Sequence, residues 1–277
     1  MAVFPLDPEN LLAEPDAAKA TAKPYAERYQ SAKPYPHICI DDFLPEAALE
    51  QVLDDLRQLP EPEDSFSRAQ ENLKSSYIPE RLPRYTRELF YFFNSRPFVL
   101  FLEELTGIKG LIPDPYFGGA GIHRVGHGGH LDIHADFNHH PKLNLERRLN
   151  VLIYLNKDWK KEYGGSFEIW DKEMTKQEAE FVPLFNRMVC FSTGSDTFHG
   201  NPQKVNHPAG LPRQSIALYY YTATWNSTRK SHTTLFKPRP NTEDQRDAVV
   251  ARHETLQDVL PPVIFRRVIG PLSRLGF

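Results

Sequence analysis

From Gly118 to Thr224 the chain reads as short apolar runs separated by turn residues: HLDIH (130–134), LNVLIYL (149–155), GSFEI (165–169), MVCFS (188–192) and SIALYYYT (215–222). The runs favour β-branched and aromatic residues, and Gly, Pro, Asn and Asp fill the segments between them. This pattern predicts an all-β barrel or double sheet. Gly126, Gly128 and Gly129 precede the first run. With no lysine or helix start after them, they predict a tight strand connection and not a phosphate cradle.

Outward from this unit, the N-terminal side carries two helices. Pro45 opens the first, in which Leu49, Val52, Leu53 and Leu56 recur at i, i+3, i+4 and i+7 and mark one buried face. The second starts at Ser95 as N-cap, runs through Pro97 and the apolar segment Phe98 to Leu105, and stops at Gly107. His37 to Phe43 reads as a strand. Residues 60–86 mix Pro, Glu, Ser and Arg without a period, which predicts a long surface loop placed to act as a lid. Residues 1–35 lack a sustained apolar period, so an extended arm outside the core is expected. Beyond Trp225 a polar stretch leads to an expected helix near Thr242–Val259 and a basic amphipathic tail at 265–275, expected to dock on its own domain. The expected organisation is an arm (1–36), one main domain (37–225, with the β core at about 115–225) and a C-terminal extension (226–277).

A chain of 277 residues, 40% hydrophobic and 25% charged, can bury a full core and is not of disordered composition. The net charge of −3 gives no positive field for nucleic acid or an anionic membrane. No apolar run is long enough to span a bilayer, and the first residues are acidic where a signal peptide needs a positive region. A cytoplasmic protein without nucleic-acid partner or membrane span is expected. Cys39 and Cys190, far apart in strand-like runs, are expected as buried free thiols. No self-complementary stripe assigns an oligomeric state.

His134 and Asp136 are separated by one residue, and the two-residue period of a strand points both side chains to the same face. His199 follows the MVCFS strand after a loop, at a strand-to-loop boundary, and completes a set of two histidines and one carboxylate. That set leaves three octahedral positions open on one face of a metal, which suits non-haem Fe(II) with a bidentate cosubstrate and O2. Fourteen residues beyond His199, Arg213 begins a strand, where a fixed guanidinium can grip the distal carboxylate of a dicarboxylate cosubstrate in bidentate fashion. Zinc can use the same three ligands, but zinc hydrolysis has no need of Arg213. Of the other histidines of the region, His123, His127, His130, His139, His140 and His207, most are expected in loops or solvent, with one of them left open as an alternative ligand or a substrate contact.

The stretch RRLNVLIYLNKDW (147–159), followed by Gly164-Gly165, resembles the hypoxia-sensing prolyl hydroxylases and related prolyl 4-hydroxylase-like oxygenases; with His134, Asp136, His199 and Arg213 in order, the resemblance spans about residues 115–225. It implies a mainly β double-stranded β-helix, or jelly-roll, with supporting helices. It also implies Fe(II) as the metal and 2-oxoglutarate as cosubstrate, with Arg213 binding the distal carboxylate and Tyr154 hydrogen-bonding the same group. Similar proteins often place a tyrosine about ten residues before the first histidine, where this chain has Arg124. Arg124 is either a second cation for the cosubstrate or a substrate contact. The implied reaction hydroxylates a C–H bond of a prolyl or other amino-acid-like substrate, polypeptide or small molecule, and releases succinate and CO2. The competing reading is a non-catalytic β-helix module that binds a metal or ligand and recognises a sugar or a protein partner. No zinc-binding cysteine module precedes the domain, so the regulatory role of the hypoxia sensors does not carry over.

Overall fold

The structure is a computed structural model that describes residues 2–60, 62, 64–68, 70–226, 228, 231–242 and 244. Four α-helices lie in its N-terminal part: α1 Pro15–Ser31, α2 Glu46–Arg57, α3 Arg84–Phe93 and α4 Arg96–Thr106. The strands are β1 His37–Ile40, β2 Asp64–Arg68, β3 Glu71–Tyr77, β4 Ile112–Pro113, β5 Gly121–Ala135, β6 His139–His140 and β7 Leu145–Tyr154. They continue with β8 Phe167–Trp170, β9 Gln177–Phe181, β10 Met188–Ser192, β11 His199–Asn201, β12 Arg213–Thr222 and β13 Leu235–Phe236. All pair antiparallel in one continuous sheet whose main path is β1-β10-β7-β12-β5-β11-β8-β9. This is the mainly β architecture with supporting helices expected of a jelly-roll.

Strand β5 gives the fold its shape. Its first half pairs with β12 and β3, and its second half with β11 and β13, so one 15-residue strand belongs to both facing halves of the sheet. Gly126 to Gly129 sit inside it, where the register with β3 slips: Asn72 faces His130 while Lys74 already faces Val125. Gly128 has φ +83°, and a Cβ on Gly129 would lie 2.7 Å from the Asn72 carbonyl oxygen. The expected connection between two strands is therefore a bulge within one strand, which lets it bend without ending.

Two-residue alternation sorts the side chains of the central strands. Leu149, Val151 and Ile153 of β7, Met188 and Cys190 of β10, and Ile216, Leu218 and Tyr220 of β12 join the main core with the helices. Leu152, Tyr154, Val189 and Phe191 turn to the opposite face and meet Phe167 and Ile169 of β8. That opposite face thus carries a second, smaller apolar cluster, separate from the main core.

Helix α4 follows the sequence signals closely. Phe98, Phe101, Leu102 and Leu105 are its buried stripe, and Gly107 caps it in the left-handed region, its N–H donating to the Glu103 carbonyl. The N-terminal segment departs from expectation. Phe4 is fully buried, with the rings of Phe43, Phe92, Phe98 and Phe101 at 5.4–5.9 Å, and α1 packs along α4 through Ala18, Ala22 and Tyr29. Small residues four apart let two helices approach, but they leave little mark on a hydropathy pattern, and so the segment resembles an arm. Residues 60–86 are likewise not a free loop: they form the β2–β3 hairpin, a short 3₁₀ turn and the start of α3. The helix expected near Thr242–Val259 and the tail at 265–275 lie, from residue 245 onward, outside the described residues.

Phe98 lies at the centre of the aromatic core, its ring within 6.4 Å of six others. Phe98→Ala is expected to lower unfolding stability by about 3–5 kcal/mol, the range for a deleted core aromatic, as measured by urea denaturation.

Candidate active site

His134 and Asp136 project from the end of β5, and His199 opens β11, where it pairs directly with His134. The third histidine therefore stands where a loop gives way to a strand, the reverse of the strand-to-loop boundary expected. The three side chains offer ligand atoms that all lie within 4.8 Å of one another. His199 Nε2 is 3.2 Å from one Asp136 carboxylate oxygen and His134 Nε2 is 3.7 Å from the other.

Backbone carbonyls fix the tautomer of both imidazoles. His134 Nδ1 is 2.8 Å from the Asp132 carbonyl oxygen and His199 Nδ1 is 3.0 Å from that of Thr197. A carbonyl can only accept, so each Nδ1 carries the proton and each Nε2 presents its lone pair to the shared point. Burial and the neighbouring His199 pull the His134 pKa down to about 3, so that the ring is a neutral ligand at ordinary pH. Burial alone would raise the Asp136 carboxyl. The Arg147 guanidinium and the two imidazoles outweigh it and hold the group well below the usual carboxylate range. Two lone-pair nitrogens and one ionised carboxylate converging from a rigid sheet fit Fe(II).

Asp136 is held from behind. Asn150 Nδ2 donates to its Oδ2 at 2.7 Å, and Arg147 Nη2 lies 3.3 Å from the same oxygen. Arg147 in turn donates through Nε and Nη2 to Asn150 Oδ1, and its guanidinium lies between the rings of Phe137 and Tyr219, at 4.2 and 3.8 Å. Both residues belong to the RRLN segment, whose reading as strand left these roles unseen. Asn150→Ala removes the shortest bond to Asp136 and is expected to weaken metal binding roughly 10–100-fold, the usual effect of losing an outer partner of a ligand. Titration of the apoprotein with Mn(II) checks this.

A cavity of about 80 Å³ opens between the two halves of the sheet beside this cluster, and Leu152, Phe167 and Phe191 give it an apolar wall. Arg213 lines it while only 4% exposed. Its Nε donates to the Gly165 carbonyl at 2.7 Å and its Nη2 to Tyr154 Oη at 3.2 Å. The Gly164-Gly165 turn makes this seat possible: both residues have φ near +70°, and a Cβ on Gly165 would lie 2.9 Å from Arg213 Cδ. Lys74 of β3, ion-paired to Glu71 at 2.6 Å, also lines the cavity, as does His123. Neither was singled out as a site residue from the sequence, because Lys74 fell in the supposed loop and His123 among the supposed solvent histidines. His140 is another exception to that reading, being buried 3.5 Å from Asp114.

Arg124 is not brought to the cavity. On β5, His123 and Val125 face inward, so Arg124 shares the outer face with Ile122 and donates to Tyr77 Oη at 3.1 Å. Strand alternation separates a cation adjacent in sequence from the site.

Residues 120–221, which hold His134, Asp136, Arg147, Asn150, His199 and Arg213, match the family model of the 2OG-Fe(II) oxygenase superfamily. The chain carries a 2OG-Fe(II) oxygenase domain. It is a 2-oxoglutarate-dependent dioxygenase, with Fe(II), 2-oxoglutarate and O2 as its cofactors and cosubstrates. Among solved structures, the oxygenase is similar to a prolyl hydroxylase from Trichoplax adhaerens in complex with a hypoxia inducible factor peptide fragment. The TM-score is 0.54 at 16% identity, over 78% of this chain and 95% of that one. It is also similar to prolyl 4-hydroxylase from Phytophthora capsici, with a TM-score of 0.52 at 18% identity over 95% of this chain and 76% of that one. At such identities the likeness is one of fold, prolyl 4-hydroxylase-like. No curated protein sequence matches the oxygenase. No helix among the described residues is long and apolar enough to cross a membrane.

Proposed function

We propose that the protein hydroxylates a C–H bond of a prolyl or other amino-acid-like substrate, with release of succinate and CO2. In this reading Fe(II) is held by His134, Asp136 and His199, and Arg213 and Tyr154 hold the distal carboxylate of 2-oxoglutarate. The observation that carries it is the convergence of three metal-ligating atoms within 4.8 Å on a cavity that also contains a buried arginine.

Iron and 2-oxoglutarate, when bound, supply the oxygen-activating chemistry. The protein's own part is orientation and exclusion of water. The carbonyls of Asp132 and Thr197 keep both Nε2 lone pairs directed inward, and Arg147 with Asn150 keeps Asp136 ionised and aimed. Arg213, fixed by Gly165 and Tyr154, offers its remaining donors to a carboxylate in a medium of low dielectric, where the pairing is strong. Leu152, Phe167 and Phe191 give the cavity an apolar wall beside these groups. A carboxylate at the Asp136 position fills the place that a halogenase leaves for halide, which favours hydroxylation.

The Trichoplax protein, similar in fold, is in complex with a peptide, so a proline-containing polypeptide is the first substrate class to test. The deciding experiment is anaerobic titration of the apoprotein with Fe(II) and 2-oxoglutarate, followed at the visible charge-transfer band of the chelate near roughly 500–530 nm. A band that requires both components, with succinate formed on admitting O2, supports the reading. Binding of metal or ligand without any coupled turnover favours the non-catalytic module instead.

A further inference from the structure

We propose that Asn201 is a further binding residue for 2-oxoglutarate, its side-chain amide donating to a carboxylate oxygen of the cosubstrate. The inference rests on the functional reading above and adds to it a residue outside the ligand triad and the arginine seat.

Asn201 lines the cavity and is 4% exposed, yet among the described residues its Nδ2 has no hydrogen-bond partner. Buried amide donors are nearly always paired, because one left unpaired forfeits its hydration without return. The cavity has apolar walls in Leu131, Leu152, Phe167 and Phe191, and none of its polar lining residues, Asp136 and Ser215 among them, accepts a hydrogen bond from the amide. The cavity it lines identifies the occupant. His134, Asp136 and His199 line the same cavity, and so does Arg213. A molecule that binds at the metal ligands and at Arg213 shares that small space with the Asn201 amide, and 2-oxoglutarate carries carboxylate acceptors at both of its ends.

The arrangement has a thermodynamic signature that a purely structural asparagine lacks. In the ligand-free protein the unpaired donor is a liability, so an apolar replacement leaves the fold intact or strengthens it while weakening the ligand. The test is calorimetric titration of the Mn(II)-loaded protein with 2-oxoglutarate, alongside thermal unfolding with and without the ligand, for Asn201→Val and Asn201→Asp. Asn201→Val is expected to bind 2-oxoglutarate about tenfold or more weakly, as loss of a hydrogen bond to a charged acceptor implies, with an unchanged or higher unliganded Tm and a smaller ligand-induced rise. Asn201→Asp, which sets like charges together, is expected to weaken binding further. Unchanged 2-oxoglutarate affinity in either folded variant overturns the proposal, including the case in which only turnover of an organic substrate falls, which assigns Asn201 to that substrate. Failure of the unsubstituted protein to bind 2-oxoglutarate, with Arg213→Ala as the non-binding reference, overturns the functional reading itself and this inference with it.

Discussion

His199→Ala is expected to abolish turnover and the Fe(II)/2-oxoglutarate absorption band together. The substitution removes one of three converging ligand atoms and leaves the ionised Asp136, which lies 3.2 Å from His199 Nε2, with one imidazole fewer beside it. The loss should exceed the roughly 10–100-fold penalty of disturbing a supporting group, because a ligand itself is gone. His134→Ala should behave alike, since the two rings are related across the β5–β11 pair. Far-ultraviolet circular dichroism checks that the fold survives, and full activity in either variant would sink the ligand assignment.

Arg213→Ala is expected to raise the KM for 2-oxoglutarate about 100-fold or more, with a smaller effect on kcat at saturating cosubstrate. A buried guanidinium paired with a carboxylate is worth several kcal/mol when one partner is cut away, the range being about 2–5 kcal/mol. Arg213→Lys should fall between: it retains the charge but loses the bonds that Nε and Nη2 make to Gly165 and Tyr154, and with them the fixed orientation. Initial rates of succinate formation across a range of 2-oxoglutarate concentrations check both variants. An unaltered KM would detach Arg213 from the cosubstrate.

The legible parts of this molecule were those in which one local rule governs the outcome. Alternation placed His134 and Asp136 on one face, and a proline-to-glycine frame with a four-residue apolar stripe defined α4. Arg213 was visible because it begins a strand fourteen residues beyond His199, where a fixed guanidinium suits a dicarboxylate. What escaped depends on contacts between distant segments. Phe4 is an isolated aromatic in the sequence and becomes core only when Val3 and Phe4 donate to the Asp42 and Phe43 carbonyls, which seats the ring against α3 and α4. Lys74 reaches the cavity because β3 pairs with β5, a register that no pattern within 60–86 reveals. Arg124 was misplaced for the opposite reason: it sits in the right segment, and the two-residue period alone assigns it to the wrong face. Arg147 and Asn150 show a further limit, since a strand reading identifies an inward residue but not the carboxylate it will support.

The bent strand β5 has a consequence for evolution of the pocket. His134 stands on β5 and pairs with His199, and β12 brings Arg213 to the same strand at Val125, so both anchors are referred to a single uninterrupted backbone. The span between them therefore depends on how that backbone bends at the glycine bulge, 126–129. A residue inserted into or removed from that bulge would recalibrate the length of acid the pocket accepts without altering any side chain that touches the acid, so changes in cosubstrate choice in such a scaffold should arise from indels in this strand sooner than from point substitutions in the cavity wall.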